Sequence, residues 1–222
     1  MIHVPIEEAL RYLGSGSVSG NDSGLRAAVM EMAAVLEARL QPRWTFRIFN
    51  MKMADDAFMI PEGGITLTGK LATKMLKECG KAAILVCTLG AGFESLLRLW
   101  QTRDMAKAVI LDACGNAYVE AGCDAAEAEI KAAAEGLYLT DRFSPGYGDL
   151  PLSLQSPLVA AVSAEKRLGV EVTGSDLLIP SKTVTAVIGL SDKPQMARIR
   201  GCAYCSMRNT CSLRRKGASC SV

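Results

Sequence analysis

The chain has 222 residues, half of them hydrophobic, with 25 basic residues against 23 acidic ones and a single histidine. That apolar content suffices for a full core without disulfide support, and a single histidine near the start, His3, argues against a histidine-based triad or a three-histidine metal site. The longest uncharged apolar run, residues 82–93, is too short to span a bilayer. Glu7 and Glu8 stand where an export signal would be basic and then apolar. The expectation is therefore a cytoplasmic protein without membrane contact, whose eight cysteines are thiols or metal ligands rather than disulfides.

In chain order, Pro5 to Leu13 predicts a short helix with proline at its first turn. Gly14 to Gly24 is a Gly/Ser/Asn-rich loop, and Ser23 caps a helix running to about Leu40, stopped by Pro42. Trp44 to Met53, rich in aromatic and branched residues, predicts a strand; another follows at Ile65–Thr68 after a Pro-Glu-Gly-Gly turn. Gly69 to Cys79 has a helical pattern, Ala82 to Thr88 reads as a buried strand, and a helix near Gly92–Thr102 leads into a long one from Asp104 to about Glu135. A helix over 156–168 and strands near 170–173 and 184–190 close the domain. The pattern is an α+β fold: one compact domain with mostly antiparallel strands, a long central helix and a short C-terminal cysteine-rich tail.

The segment from Arg142 to Pro151 concentrates chemistry. Arg142 offers a planar five-donor fork for a carboxylate or phosphate, Pro145-Gly146 marks a turn, and Tyr147 adds a flat ring with a polar tip. Such a loop suits a small zwitterion with an aromatic group, although the same spacing describes a tight turn with a surface arginine. On the long helix, Asp112, Asn116, Glu120 and Asp124 recur every four residues on one stripe. For Asp112 and Asp124 an ordinary solvated stripe is the expectation. Gly115 and Gly122, seven apart, permit close backbone approach.

The tail is a separate constellation. From Arg198 onward there are six basic residues and no acidic one, leaving 19 basic against 23 acidic residues in the body. The shift at Pro194 divides the chain into a domain of residues 1–193 and a tail of 194–222. Cys202, Cys205, Cys211 and Cys220 place four cysteines within nineteen residues, and the two-residue gap between the first pair is a knuckle that zinc and iron–sulfur sites both use. A four-iron four-sulfur cluster, a structural zinc ion and unligated thiols all stay open. Cys79, Cys87, Cys114 and Cys123 lie in apolar contexts and read as packed core thiols. Apart from Tyr204, no aromatic residue interleaves the basic ones, so nucleic acid is not the expected partner. The competing class is a zinc-stapled module whose basic tail contacts nucleic acid or protein without turnover.

The Arg142-Phe143-Ser144-Pro145-Gly146-Tyr147 segment resembles the S-adenosylmethionine loop in the activation domain of cobalamin-dependent methionine synthase. Thr88-Leu89-Gly90, Ile110–Ala113, Val119-Glu120-Ala121, Leu168–Val170 and Leu178–Ser181 extend the similarity over roughly residues 80–192. The pattern is closest to free-standing, single-domain relatives of that module. The resemblance implies an accessory protein that binds S-adenosylmethionine and supports reductive methylation of the cobalamin carried by a partner methyltransferase such as methionine synthase, with an electron donor. It implies that Arg142 holds the methionyl carboxylate, that Ser144 and Gly146 contact the ligand through backbone groups, that Tyr147 lines the reactive end, and that Glu120 meets the amino group or the sulfonium. No side chain here looks like a nucleophile or general base. The Gly-rich strand-to-helix fingerprint of a Rossmann methyltransferase and the Cys-x3-Cys-x2-Cys triplet of radical enzymes are both missing.

Overall fold

The computed structural model describes residues 1–14, 23–54 and 57–195. In chain order these form α1 (Ile6–Tyr12), α2 (Ser23–Glu37), β1 (Arg43–Asn50), β2 (Lys52–Ala54), β3 (Ala57–Ile60), β4 (Ile65–Thr68), α3 (Lys70–Leu76), β5 (Lys81–Thr88), α4 (Gly92–Arg103), α5 (Met105–Ala133), β6 (Tyr138–Leu139), α6 (Gln155–Ala161), α7 (Ala164–Leu168), β7 (Glu171–Val172), β8 (Leu178–Ile179) and β9 (Thr183–Ser191). The central sheet has the order β1-β5-β9-β6, antiparallel throughout, with Arg43 opposite Thr88 and Lys81 opposite Leu190. A small sheet β2-β3-β4 and a two-stranded β7-β8 hairpin complete the strands.

Helices and loops cover both faces of the central sheet, which is why β5 reads as an unbroken apolar run instead of an alternating one. Ala83, Leu85 and Cys87 of β5, with Ala186, Ile188 and Leu190 of β9, join a core that includes α2, α4 and α5. Ala82, Ile84 and Val86, with Val187, join a second core built from the small sheet, α3, α6 and α7. The alternation follows directly from the two-residue period of a strand.

The long helix is seated by its glycines. Asp104 caps α5 by accepting from the Lys107 N–H at 3.1 Å. A Cβ at Gly115 would lie 2.4 Å from the Phe93 ring, and one at Gly122 would lie 2.5 Å from Pro42 Cβ and 2.9 Å from Cys87 Sγ. Both positions thus need glycine for the close approach anticipated from their spacing. The N-terminal arm packs onto the same layer: Val4 N–H donates to Glu37 at 2.7 Å, His3 Nδ1 lies 3.0 Å from the same carboxylate, and Ala9 is buried. Tyr118 of α5, fully buried, donates its hydroxyl to the Leu40 carbonyl at 3.2 Å, with the Ile2 carbonyl 3.4 Å away.

Four element expectations need correction. The aromatic run from Trp44 divides at Met51, whose N–H donates to Gly80 O at 3.0 Å; β1 stays in the central sheet and β2 enters the small one. The helix over 156–168 breaks at Ser163, which adopts a left-handed φ of 54°. The strand at Val170–Thr173 shrinks to β7 and pairs with β8, closed by Thr173 N–H donating to Leu177 O at 2.8 Å. Strands β3 and β6 carry no clear sequence signal; β6 has only two residues and is held by its partner β9. Among the described residues, no helix is long and apolar enough to cross a membrane.

Candidate functional site

The Arg142 loop grows out of the sheet edge. Beyond β6 the chain continues beside β9, and Phe143 makes a two-bond bridge with Val187, at 3.0 and 2.8 Å. Phe143 is buried in the second core. By strand alternation its neighbour Arg142 projects to the other face, toward α5. The chain then folds back on itself: Tyr147 N–H donates to Ser144 O (3.1 Å), Leu150 N–H to Tyr147 O (3.0 Å), and Gly146 N–H to Leu150 O (2.8 Å). Gly146, at φ 88°, occupies left-handed space that disfavours any other residue.

Asp149 pins this loop to α3. Its carboxylate accepts from Lys70 N–H at 2.6 Å and Leu71 N–H at 3.0 Å. These two backbone donors, Leu71 first, hold the Asp149 pKa below the ordinary carboxyl value. A Cβ at Gly69, where φ is 100°, would sit 2.8 Å from the carboxylate, so glycine is needed for the contact.

Arg142 is the electrostatic centre. Its side chain is only 8% exposed, and it donates through Nη2 to Glu120 at 2.6 Å and through Nη1 to Asp124 at 2.6 Å and Glu127 at 2.5 Å. Burial pulls its pKa down, but the Cys123 sulfur and the carboxylates of Glu127, Glu120 and Asp124 more than reverse this, and the guanidinium stays charged. Three acids meet one base, so the cluster carries an excess of two negative charges when all are ionised. Asp124 is the most solvent-exposed member at 64%, against 37% for Glu120 and 21% for Glu127.

The structure therefore brings Arg142 and Glu120 together and sets Ser144, Gly146 and Tyr147 on the same loop, with Tyr147 exposed. The solvated-stripe expectation for Asp112 and Asp124 holds in their exposure, 44% and 64%, but each acid is also paired: Asp124 with Arg142, and Asp112 with Lys182 at 2.9 Å, whose ammonium also donates to Asn116 at 2.6 Å. Three neighbours were not singled out from sequence. Glu127 lies three residues after Asp124 and seven after Glu120, so helical arithmetic would have found it. Asp149 sat inside the noted loop, but its partners are 78 and 79 residues away. Tyr12, at the end of α1, has its hydroxyl pKa raised by burial and then by the Glu120 carboxylate, with Arg11 and Arg142 opposing.

Of the four cysteines read as core thiols, Cys87, Cys114 and Cys123 are buried and Cys79 is half-buried. Burial pushes the Cys114 thiol up to about 12 and the Cys79 thiol up to about 11. Cys123 is raised by its hydrogen bond to Cys87 and then by burial. Cys202, Cys205, Cys211 and Cys220 lie outside the described residues. Among the described residues, no group of three or more His, Cys, Asp or Glu side chains is arranged to hold a metal ion.

Fold and site together define an α+β domain with an antiparallel sheet covered on both faces and a charged cluster between its edge loop and its longest helix. Among solved structures, the MetH reactivation domain bound to AdoHcy has this fold, with a TM-score of 0.63 over 95% of this chain and 77% of that one. The two sequences are 16% identical, so the likeness is one of fold. No protein-family model matches the sequence, and no curated protein does so.

Proposed function

We propose that the chain binds S-adenosylmethionine at the Arg142 cluster and supports reductive methylation of the cobalamin of a partner methyltransferase such as methionine synthase. The observation that carries this reading is the charge balance. S-adenosylmethionine brings an ammonium, a sulfonium and one carboxylate, and the cluster offers three carboxylates around one guanidinium. Its fold is that of a domain solved with AdoHcy.

The pairing pattern supports one mode of ligand entry. Both terminal nitrogens of Arg142 already donate to acids, so a ligand carboxylate that takes up the Nη1 edge exchanges with the acid that is cheapest to return to water, Asp124. Glu120 then meets the ammonium, and Glu127 stays in place to hold the guanidinium. The Gly146 N–H and the Ser144 carbonyl are taken by Leu150 and Tyr147 within the loop, so the remaining backbone groups of Ser144 and Gly146 would fix the ligand's position, and Tyr147 would line the reactive end. Nothing in the cluster needs to remove a proton. The electron-rich cobalt(I) of the partner's cobalamin is the nucleophile, and the work of this chain is to hold the sulfonium methyl in line for it.

In the tail, Cys202, Cys205, Cys211 and Cys220 would hold a four-iron four-sulfur cluster, or zinc in its place, and its six basic residues would offset the charge of four thiolates. A cluster there would pass the electron that returns oxidised cobalamin to the nucleophilic state. The test is recovery of turnover. The corrinoid methyltransferase of the same genome, inactivated in its cobalt(II) form, is mixed with the full chain, S-adenosylmethionine and a strong reductant. Activity should return with all components and fail without the chain. Equal recovery in its absence overturns the proposal.

A further inference from the structure

We infer that the lysine face of α3, together with the exposed Tyr147 and Leu152, is the surface on which the partner corrinoid protein docks, and that the partner meets it with an acidic patch. This rests on the S-adenosylmethionine reading above. Methyl transfer to cobalt requires the two proteins to touch, because reacting atoms must approach to about 3–3.5 Å. The docking surface must therefore adjoin the Arg142–Tyr147 loop, and α3 does. The Asp149 carboxylate accepts from the Lys70 and Leu71 N–H groups at 2.6 and 3.0 Å, and a Cβ at Gly148 would lie 3.4 Å from the Leu71 side chain.

The face that α3 turns outward is basic. Ala72, Met75 and Leu76 are buried in the second core, which leaves Lys70, Thr73, Lys74 and Lys77 exposed along the opposite side. With Gly69 they line a surface groove of about 550 Å³ that begins at the loop anchor. Residues 63–77 contain no acid, in a body that has 19 basic against 23 acidic residues. The Asp149 carboxylate at the loop end of the groove is committed to the two amides. The groove is thus a local positive field on a net negative body, and it favours an acidic partner surface. Beside it, Tyr147 is 60% and Leu152 44% exposed, and the Leu152 side chain lies against the Gly146 turn, 3.0 Å from where a Cβ would stand. An exposed aromatic and aliphatic pair flanked by charged side chains has the anatomy of a protein interface: an apolar anchor that excludes water, and a charged rim that steers the encounter.

The test measures the rate of reactivation against the concentration of the cobalt(II) form of the corrinoid methyltransferase from the same genome, with the full chain, S-adenosylmethionine and reductant. Lys74→Glu/Lys77→Glu reverses two rim charges away from the Arg142 cluster, and Lys74→Gln/Lys77→Gln removes them. In low salt the reversed variant should need about tenfold or more partner for half-maximal rate, with the neutral variant between it and the parent. The gap should close in high salt, which screens exposed charges. Calorimetry should give all three proteins the same affinity for S-adenosylmethionine, which also shows that the variants fold. An unchanged partner requirement in the reversed variant overturns the inference. So does an equal rise in Arg98→Glu/Arg103→Glu, the same charge change on exposed residues of α4 in the first core, or a matching loss of S-adenosylmethionine affinity in the lysine variants. If the parent chain binds no S-adenosylmethionine, or reactivates nothing, the S-adenosylmethionine reading itself falls.

Discussion

Replacing Asp124 by asparagine and Glu120 by glutamine should move S-adenosylmethionine affinity in opposite directions. Both acids sit 2.6 Å from the Arg142 guanidinium, but the Asp124 side chain is 64% exposed and the Glu120 side chain 37%. An ion pair with one well-hydrated partner is worth about 0.2–1 kcal/mol. If the ligand carboxylate must displace Asp124, Asp124→Asn removes that competition and tightens binding by up to roughly fivefold. Glu120→Gln instead deletes a charged acceptor for the ligand ammonium, a loss of about 1.5–3 kcal/mol, or roughly ten- to hundredfold in affinity. Arg142→Lys should not substitute, because an ammonium cannot form the planar fork. Arg142→Ala should also lower stability by about 3 kcal/mol, near the low end for a broken buried pair because its three acids keep some water. Calorimetry gives the affinities and urea unfolding the stabilities. Weakening of similar size in Asp124→Asn and Glu120→Gln would refute carboxylate exchange, and unchanged affinity in both would remove the cluster from the ligand site.

Asp149→Ala should release the loop from α3, seen as faster hydrogen exchange at the Lys70 and Leu71 amides together with weaker ligand binding. Since the folded-state pKa of Asp149 is depressed, the parent's advantage over this variant is fully present above the unfolded carboxyl value of 3.8 and fades as pH falls through the lower folded value. Gly122→Ala should cost about 1–3 kcal/mol in denaturant titration, because the new methyl would meet Pro42 and Cys87 across the α5 contact. Cys79 and Cys114, with pKa values pushed up to about 11 and 12, should resist iodoacetamide at pH 8 until the protein is unfolded, as mass spectrometry of the alkylated peptides would report. Anaerobically purified protein should contain metal, and Cys202→Ser or Cys205→Ser should abolish it, measured by elemental analysis and the visible spectrum.

The sequence announced what local periodicity can carry. The α5 helix, the buried β5 run and the close-approach role of Gly115 and Gly122 all follow from spacing within one element. The juxtaposition of Arg142 with Glu120 was reached only through the family resemblance, since 22 residues and a change of element separate them. What stayed hidden is non-local. Nothing in Asp149 itself indicates that it will reach the amides of α3, and nothing in Tyr12 indicates a place beside α5. The two-residue strand β6 exists because β9 offers it an edge, and the left-handed Ser163 that splits α6 from α7 has no glycine or proline to mark it. The solvated-stripe reading of Asp112 and Asp124 was incomplete for a related reason: a helix face shows where acids lie, while the cations that meet them, Lys182 and Arg142, come from the residue just before β9 and from the sheet-edge loop.

The central claim is that this chain delivers a methyl group from S-adenosylmethionine to a corrinoid. Its most direct test uses S-adenosylmethionine radiolabelled in the methyl group, mixed with the full chain, the inactive cobalt(II) form of the corrinoid methyltransferase from the same genome, and a strong reductant. The account predicts label on the corrinoid after separation, in an amount that depends on this chain and falls with Glu120→Gln. Label that stays on S-adenosylmethionine, or reaches the corrinoid equally well without the chain, would contradict it.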